Sequence, residues 1–424
     1  MRTVLINTGT ELLLGDVQDA HLVFIAREIL SLGLRIEEQR TVPDTEAILR
    51  ALAELFPRCE ILFVTGGLGP TTDDITRETV SESLRLELLQ DPQLLTSLQQ
   101  RLQSLAIKWG PGIARQADVP AGAQVLPNEY GSAPGFYLKS NINPGVSSPH
   151  LFVLPGPPRE LQPMFQKFVM PILQSILHVP LAIERRSYRI GGIGESLVEE
   201  MVGEKVLAIP GIELGYCARP GEVEVRIIGE PKGIRVADTI IRRELGSSIF
   251  SEGDESLESV VVKQLKQRNE TLATAESCTG GFIANSITNV PGASEVFVAG
   301  YVTYANKSKS DILNLDPKLI EKHGAVSEAV ARKMAEGART RASSSYGLAT
   351  TGIAGPAGGS DEKPAGTVYV AVASALSDTS IRKCFFPTDR ETFKQLAARA
   401  ALDLLRRRLL ECAAGNSERS EGTP

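Results

Sequence analysis

Short apolar runs that end in glycine-rich turns constrain the fold of this chain more than any other feature of its sequence. Val4–Asn7 leads into Gly9-Thr10-Glu11, and Ile61–Thr65 leads into the sequence GGLGPTTDD at 66–74. Amphipathic helical stretches separate such runs, and this alternation predicts βαβ units with mostly parallel sheets. Because ligands of open α/β sheets bind at the carboxyl ends of the strands, the glycine-rich turns are the candidate functional sites.

Periodicity and length together predict an α/β protein of several domains. At roughly 100–200 residues per domain, 424 residues correspond to about two to four domains. We predict domains at 1–171, 172–250 and 251–412, followed by a polar tail at 413–424 that we expect to be disordered. The predicted strands are Val4–Asn7, Ile61–Thr65, Leu151–Leu154, Ser187–Ile190, Glu222–Ile228, Leu272–Ala275 and Thr367–Ala373. The predicted helices are Ala20–Leu32, Thr76–Leu84, Asp91–Leu105, Glu195–Lys205, Arg235–Leu245, Ser256–Gln267, Phe282–Thr288, Glu328–Arg341 and Arg390–Leu410.

Composition argues against several classes of protein. A formal net charge of −6 disfavours a general nucleic-acid binder, because phosphate contacts need an excess of Lys and Arg. The most apolar stretch, Phe168–Ile183, is interrupted by Pro171 and Pro180, so we expect no membrane-spanning helix. The start of the chain lacks the pattern of a signal peptide, and the five cysteines are odd in number and far apart, as in a reduced, cytoplasmic protein. The four histidines show no metal-ligand spacing, so a histidine base or histidine metal site is disfavoured.

The turn at 66–74 has the residues that a phosphate group and its cation need. Glycine lets the backbone approach a phosphate closely, and its N–H groups form a concave anion site. Asp73 and Asp74 supply hard oxygen ligands for a divalent cation. The alternative is that an aspartate before a helix only caps it. Because Gly9–Glu11 and Pro155–Pro158 are turns of the same kind after other strands, we expect the three turns to share one cleft.

A second candidate site surrounds Ser277, which follows the strand Leu272–Ala275 and precedes a helix. Free N–H groups at the start of that helix would form an oxyanion hole for acyl transfer. A serine nucleophile needs a base, and lysine is the natural substitute for histidine here. The candidates for base and proton relay are Tyr304, Lys307 and Lys309.

Two alternatives remain open at this turn. Ser277 is also a plausible helix cap, and Cys278 with Glu276 and a lysine would form a rival Glu–Lys–Cys amidase arrangement. A further glycine-rich segment at 350–359, with Pro364–Thr367 after it, suits a phosphate or a ribose.

The N-terminal motifs resemble the molybdopterin-binding-like (MoCF) domain of the CinA family. They are GTELLLG at 9–15, GGLGPTTDD at 66–74, Pro134-Gly135-Phe136, and Pro155–Pro158 with Glu160-Leu161. The resemblance implies a three-layer α/β domain that hydrolyses ADP-ribose or a related dinucleotide pyrophosphate with a divalent metal cation. It implies metal ligands at Asp73, Asp74 and Asp19, and substrate contacts at Gly66, Gly67, Gly69, Pro70, Thr71 and Gly156. The chain departs from the family at Asp19-Ala20-His21, where the family usually has an Asn after Asp-Thr.

The C-terminal motifs are similar to the CinA C-terminal domain. They are AESCTGG at 275–281, TYANKSK at 303–309, HGAVSE at 323–328, TGIAGPAGG at 351–359 and KPAGTVY at 363–369. The resemblance implies a cofactor-free amidohydrolase that converts nicotinamide mononucleotide (NMN) and water to nicotinic acid mononucleotide and ammonia. It implies that Ser277 is the nucleophile, Lys309 the base and Tyr304 its partner. The implied substrate contacts are Thr279, Gly280, Gly281, Gly352, Ala354 and Gly355.

Two further departures from the family pattern lie in this domain. Lys307 stands where the family usually has an acidic residue, and Ala365 replaces a common Val. The middle module is similar to the family's KH-like α/β linker domain and contains Gly191-Gly192-Ile193-Gly194. We do not expect it to bind RNA, because a lone GxxG in an acidic chain is weak support.

Three functional hypotheses follow. The first is a bifunctional enzyme of pyridine-nucleotide salvage, and the second keeps the deamidase without the pyrophosphatase. The third is a nucleotide-sensing protein that binds a partner in competence or DNA damage and turns over little or no substrate. For each of them a homodimer is the default expectation.

Overall fold

The chain divides into two units, Met1–Glu184 and Arg185–Pro424. The computed structural model describes residues 1–104, 110–177 and 183–420. Leu105, the last residue of one predicted helix, His178 and the tail residues 421–424 lie outside the described residues. Residues 185–250 of the predicted second domain and the whole predicted third domain fall within one unit, whereas residues 172–184 belong to the first unit, one of whose helices runs across the predicted boundary at 171.

A mixed six-stranded sheet forms the centre of the first unit, in the order β2-β1-β3-β8-β7-β6. The strands of this unit are β1 Thr3–Thr8, β2 Ile36–Val42, β3 Ile61–Thr65, β4 Leu88–Gln90, β5 Asp118–Pro120, β6 Gln124–Leu126, β7 Gly135–Leu138 and β8 His150–Leu154. Strands β2, β1, β3 and β8 run parallel to one another. At one edge, β7 pairs antiparallel with β8, and β6 pairs antiparallel with β7. Strands β4 and β5 pair separately. The prediction of a mostly parallel sheet is confirmed.

Helices cover both faces of this sheet, which makes the unit three-layered. They are α1 Thr10–Leu14, α2 His21–Leu30, α3 Ala47–Leu55, α4 Thr76–Ser83, α5 Pro92–Ser104, α6 Pro111–Ala114, α7 Pro158–Met164 and α8 Met170–Ile176. Successive side chains of a strand point to opposite faces, so Val4 packs in the core with α3 while Leu5 packs in the core with α2. A strand covered on both faces must be apolar throughout, which explains the continuous apolar runs in the sequence.

Two further sheets form the second unit. The first, in the order β10-β11-β9-β12, contains β9 Glu184–Gly191, β10 Glu213–Arg219, β11 Glu222–Gly229 and β12 Ile249–Glu252, with α9 Glu195–Leu207 and α10 Pro231–Leu245. Its core contains Val198, Val225 and Ile241, one residue from each of α9, β11 and α10. This is the small α/β module predicted for 172–250.

The other sheet of this unit carries the Ser277 turn, and its order is β14-β13-β15-β16-β17. Its strands are β13 Leu272–Glu276, β14 Phe297–Val302, β15 Tyr346–Gly352, β16 Thr367–Ser374 and β17 Ser380–Phe385. Its helices are α11 Leu257–Gln267, α12 Phe282–Thr288, α13 Asn306–Leu313, α14 Pro317–His323, α15 Glu328–Ala342 and α16 Arg390–Ser420. Strands β14, β13 and β15 are parallel, and β16 and β17 are antiparallel. All the predicted strands and helices are present within the described residues, and α16 also runs through 413–420, where we expected no regular structure.

A buried charge cluster attaches α16 to the small module. The Asp403 carboxylate accepts hydrogen bonds from Arg406 at 2.7 Å and from Arg407 at 2.8 Å. Arg406 also donates to the carbonyl oxygen of Ser247 at 2.6 Å, next to β12. Asp403 and Arg406 are almost completely buried. Among the described residues, no helix has both the length and the apolar character needed to cross a membrane.

We expect Asp403→Ala to lower the free energy of unfolding of the second unit by about 3–5 kcal/mol, because it leaves the buried Arg406 without its counter-charge. Urea denaturation followed by circular dichroism measures this. The matched control on the same helix is Glu411→Ala, which removes an exposed ion pair with Arg408 and costs about 0–1 kcal/mol. Equal effects of the two substitutions would contradict a structural role for the Asp403 cluster.

Candidate active sites

The three glycine-rich turns of the first unit do share one cleft. They follow β1, β3 and β8 and line a cavity of about 530 Å³ at the carboxyl ends of these strands. The predicted substrate residues Gly66, Gly67, Gly69, Pro70 and Gly156 all line it. Thr71 lies just beyond this lining, where its N–H donates to the Asp74 carboxylate at 2.9 Å.

Glycine is required at the start of the second turn. Gly66 and Gly67 have φ of +99° and +65°, which residues with a side chain rarely adopt. A Cβ at Gly67 would lie 2.1 Å from the Thr76 hydroxyl oxygen. The turn is thus held against the start of α4, and its backbone borders the cavity.

Six carboxylates line this cavity, and the sequence analysis predicted three of them, Asp19, Asp73 and Asp74, as metal ligands. Asp73 is exposed, and a hydrogen bond from Thr71 lowers its pKa. Burial raises the pKa of Asp44, and the charges of Glu11, Asp73 and Asp74 raise it further. Glu11 follows β1 and Asp44 follows β2. From the sequence, only this position after a strand could have identified them as site residues.

These carboxylates suit a divalent cation whose remaining ligands come from the phosphate groups of a substrate. Within the described residues, no three His, Cys, Asp or Glu side chains converge on one metal position. Magnesium in nucleotide-hydrolysing sites typically takes one or two carboxylates, with phosphate oxygens and water completing its shell. Hard carboxylate oxygens beside a glycine-rich backbone match that chemistry, with Asp73 the most accessible donor.

Asp19 lines the same cavity, but hydrogen bonds already engage both of its carboxylate oxygens. One oxygen accepts from Asn7 at 2.7 Å and from Gln39 at 2.5 Å, and the other accepts from the His21 N–H at 2.8 Å. Asp19 therefore anchors a polar network, and its role as a metal ligand stays a prediction of the resemblance.

His21, at the departure from the family pattern, joins two of the strand ends. Its Nδ1 lies 2.9 Å from the Thr65 hydroxyl, and its Nε2 lies 2.6 Å from the carbonyl oxygen of Gly156. The Thr65 hydroxyl in turn donates to Asn7 at 2.9 Å. The imidazole thus fastens the turn after β8 to the end of β3.

In the second unit, the structure brings Ser277 and Lys309 together. The Lys309 Nζ lies 3.1 Å from the Ser277 Oγ, although 32 residues separate them in sequence. Ser277 sits at the end of β13, and Lys309 lies in the first turns of α13. The serine is 8% exposed and the lysine 1% exposed.

The surroundings of Lys309 suit a neutral amine. Burial lowers the pKa of Lys309, and no carboxylate forms an ion pair with it in the described part of the chain. Its Nζ also contacts the carbonyl oxygens of Thr303 at 2.8 Å and Tyr304 at 3.1 Å. The ammonium form donates to these two carbonyls and to the Ser277 Oγ, whereas the neutral form keeps two donors for the carbonyls and accepts from the Ser277 hydroxyl.

Glu276 changes the predicted oxyanion hole. Its buried carboxylate accepts hydrogen bonds from the N–H groups of Gly281, Ile283 and Ala284 at 2.8 to 3.1 Å. A carboxylate at a helix N-terminus is electrostatically favoured, and this one takes the amides that we had assigned to an oxyanion. In the described turn between Ser277 and Ala284, the amides of Cys278 and Thr279 donate to no other residue.

The other side chains of the turn have structural roles. Burial raises the pKa of Cys278 to about 12, so this thiol is a poor nucleophile. The Thr279 hydroxyl donates to Glu276 at 2.7 Å and is buried, so it supports the turn and does not face a substrate. Lys307 forms an exposed ion pair with Asp311, which leaves Lys309 as the base candidate.

Tyr304 contacts Lys309 through its backbone, which corrects the predicted hydroxyl relay. Its exposed hydroxyl accepts a hydrogen bond from Arg390 at 2.5 Å. Arg390 also donates to the carbonyl oxygen of Gly355 at 3.1 Å, and a Cβ at Gly280 would lie 3.8 Å from the Lys394 Nζ. Arg390 and Lys394, which the sequence analysis missed, thus place two cations beside the predicted substrate glycines.

The remaining predicted substrate residues lie at the end of β15 and in the loop after it. Gly352 is the last residue of β15, and Ala354 is buried. Gly355 has φ of +70°, and its carbonyl oxygen is the one that Arg390 contacts. The Ser277 N–H donates to the carbonyl oxygen of Thr350 at 3.0 Å, which ties this strand to the nucleophile turn.

Comparisons with known proteins agree with this architecture. The model of the CinA C-terminal domain matches residues 254–409, and the model of the probable molybdopterin binding domain matches residues 4–175. A CinA-like protein of Akkermansia muciniphila is 39% identical over 402 residues, which cover 95% of this chain and 96% of the relative. The crystal structure of the competence/damage inducible protein CihA from Agrobacterium tumefaciens is 36% identical, covers 35% of this chain and 91% of that chain, and has a TM-score of 0.35. With both domain models matched and a relative aligned over nearly its whole length, the chain belongs to the CinA family.

Proposed function

We propose that the Ser277–Lys309 pair deamidates nicotinamide mononucleotide through a covalent acyl-enzyme. The observation that carries this proposal is the 3.1 Å contact between a buried lysine amine and a serine hydroxyl at a strand end. A hydroxyl becomes a nucleophile when an adjacent base takes its proton, and a desolvated lysine is such a base near neutral pH.

The reaction proceeds in two balanced steps. Neutral Lys309 takes the proton of the Ser277 hydroxyl, and the Oγ attacks the carboxamide carbon of the substrate. The protonated lysine then donates to the departing nitrogen, so that ammonia leaves and an ester remains on Ser277. Water attacks this ester after giving a proton to Lys309, which releases nicotinic acid mononucleotide and restores the serine.

Groups around Ser277 match the rest of the substrate. The amides of Cys278 and Thr279 stabilise the oxyanion of each tetrahedral intermediate. Arg390 and Lys394 bind the 5′-phosphate, because guanidinium and ammonium groups are the usual phosphate partners in proteins. Gly352 and Gly355 let the backbone approach the ribose.

We also propose a second activity for the first unit, the hydrolysis of a dinucleotide pyrophosphate such as ADP-ribose. The observation that favours it is the cavity of about 530 Å³ that combines a glycine-rich turn with Glu11, Asp44, Asp73 and Asp74. Asp73, with Asp74 or Asp44, would hold a divalent cation, which supplies charge neutralisation for the pyrophosphate. The backbone of Gly66 and Gly67 orients the phosphates.

Ser277→Ala and Lys309→Ala are each expected to lower kcat for ammonia release from nicotinamide mononucleotide by at least about 10³-fold. The assay is run in EDTA, because the reaction needs no metal. Lys307→Ala is the matched control and should stay within about twofold, since an exposed ion pair contributes little. Undiminished activity of the Ser277 variant would refute the mechanism, and a wild-type protein without activity would refute the assignment.

For the first unit, Asp73→Asn should lower metal-dependent ADP-ribose hydrolysis by at least about tenfold, because an amide binds a hard cation poorly. Glu82→Gln, an exposed change on α4, is the control and should leave the rate unchanged. Phosphate release from the products by an added phosphatase measures the rate. Nucleotide binding without turnover in both units would contradict both activities and favour a nucleotide-sensing adaptor.

A further inference from the structure

A second cavity in the Arg185–Pro424 unit lies outside the Ser277 turn. Its volume is about 350 Å³, which falls in the range of small-molecule sites. The GxxG loop at 191–194 and β11 form one side, and β17 and α16 form the other. The cavity therefore lies between the small module and the C-terminal domain, which belong to one unit.

The lining carries more positive than negative charge. It includes three arginines, Arg219, Arg382 and Arg399, and two glutamates, Glu195 and Glu222. The nearest carboxylate to Arg382 within the described residues is Asp403, at 3.7 Å, and Asp403 already accepts hydrogen bonds from Arg406 and Arg407. Arg382 thus retains unused donors that face a cavity, as in sites for phosphate or carboxylate groups.

The cavity is also lined by a buried carboxylate, Glu222, one oxygen of which has only an ion-pair contact. Glu222 is 5% exposed, and its Oε2 accepts no hydrogen bond from any described residue. Its other oxygen accepts from Arg189 at 2.7 Å, and the Arg399 Nη1 lies 3.4 Å from Oε2. An oxygen with only this ion-pair contact can still accept a hydrogen bond, and a hydroxyl group of a ligand would donate one. Acidic side chains bind ribose hydroxyls in this way in dinucleotide sites.

Apolar side chains complete the lining. Ile193, Val223, Phe386 and Leu396 supply an apolar surface next to the arginines. A ligand that matches all three features has an anionic group, a hydroxylated part and a flat apolar part. Nucleoside monophosphates have this composition.

We propose that this cavity is a binding site for a nucleoside monophosphate, separate from the Ser277 site. Arg382 contacts its phosphate, Glu222 accepts from a ribose hydroxyl, and the base lies against the apolar wall. The same stretch of chain, 382–400, carries Arg390 and Lys394 beside the Ser277 turn, so both sites are built on one segment.

Cys384 provides a local probe, because it lines the cavity and is partly exposed. We would measure its alkylation by iodoacetamide with peptide mass spectrometry, with and without adenosine monophosphate. Burial raises the pKa of the Cys384 thiol, so the reaction is run at mildly alkaline pH. The exposed Cys217, which does not line the cavity, is the internal control in the same digest.

At a nucleotide concentration of about ten times Kd, alkylation of Cys384 should slow about tenfold, because the free site decreases by the factor 1 + [L]/Kd. Cys217 should be unaffected, adenosine should protect far less, and Arg382→Met should abolish protection. Arg235→Met, an exposed change on α10, is the control variant and should keep it. Absence of protection by adenosine monophosphate in the wild-type protein would overturn the proposal, and so would equal protection by adenosine or in Arg382→Met. None of these readings depends on deamidase activity.

Discussion

The buried Glu276 carboxylate is the interaction on which the Ser277 site depends. It accepts four hydrogen bonds, from the Thr279 hydroxyl and from the amides of Gly281, Ile283 and Ala284. These bonds fix the turn between β13 and α12, while the backbone carbonyl of Glu276 accepts from the Thr303 N–H at 2.8 Å. The Thr303 carbonyl oxygen in turn accepts a hydrogen bond from Lys309. Glu276 therefore orients both the turn that carries Ser277 and the backbone of Thr303, which holds Lys309.

This arrangement separates a buried negative charge from a buried amine. All the hydrogen bonds of the Glu276 carboxylate go to its own turn and none to Lys309. Lys309 therefore has carbonyl dipoles and a hydroxyl around it without a neutralising carboxylate, so burial favours its uncharged form. The cleft of the first unit, in contrast, is lined by negatively charged side chains. There, carboxylates line the cavity without arginine or lysine beside them in the lining, which suits the cation that we propose.

The sequence predicted the helices and strands and the turn that carries Ser277, because both depend on local patterns. Alternating apolar residues, or continuous apolar runs typical of fully buried strands, predicted the strands. Glycine-rich turns at the ends of these strands predicted the two sites. The choice of Lys309 over Lys307 came only from the family resemblance. Local pattern does not reveal that the Lys309 side chain is buried while Lys307, two residues earlier, is exposed and pairs with Asp311.

Long-range contacts account for what the sequence analysis missed. Arg390 and Lys394 reach the Ser277 turn only because the start of α16 packs against it, more than 100 residues downstream. Asp19 was assigned as a metal ligand, and only the folded chain reveals that Asn7, Gln39 and His21 engage its oxygens. Likewise, Glu276 was considered as part of a cysteine site, and its role became clear from three amides that follow it.

The central claim is that neutral Lys309 activates Ser277, and the pH dependence of kcat/KM for nicotinamide mononucleotide tests it most directly. Because the pKa of Lys309 is lowered, activity should rise with pH through that lowered pKa and level off below the range of an ordinary lysine near 10.4. It should be lost as the pH falls and the amine is protonated. Lys309→Arg, which stays protonated, should be inactive at every pH. A profile that rises only near the ordinary lysine pKa, or an active Lys309→Arg variant, would contradict the account.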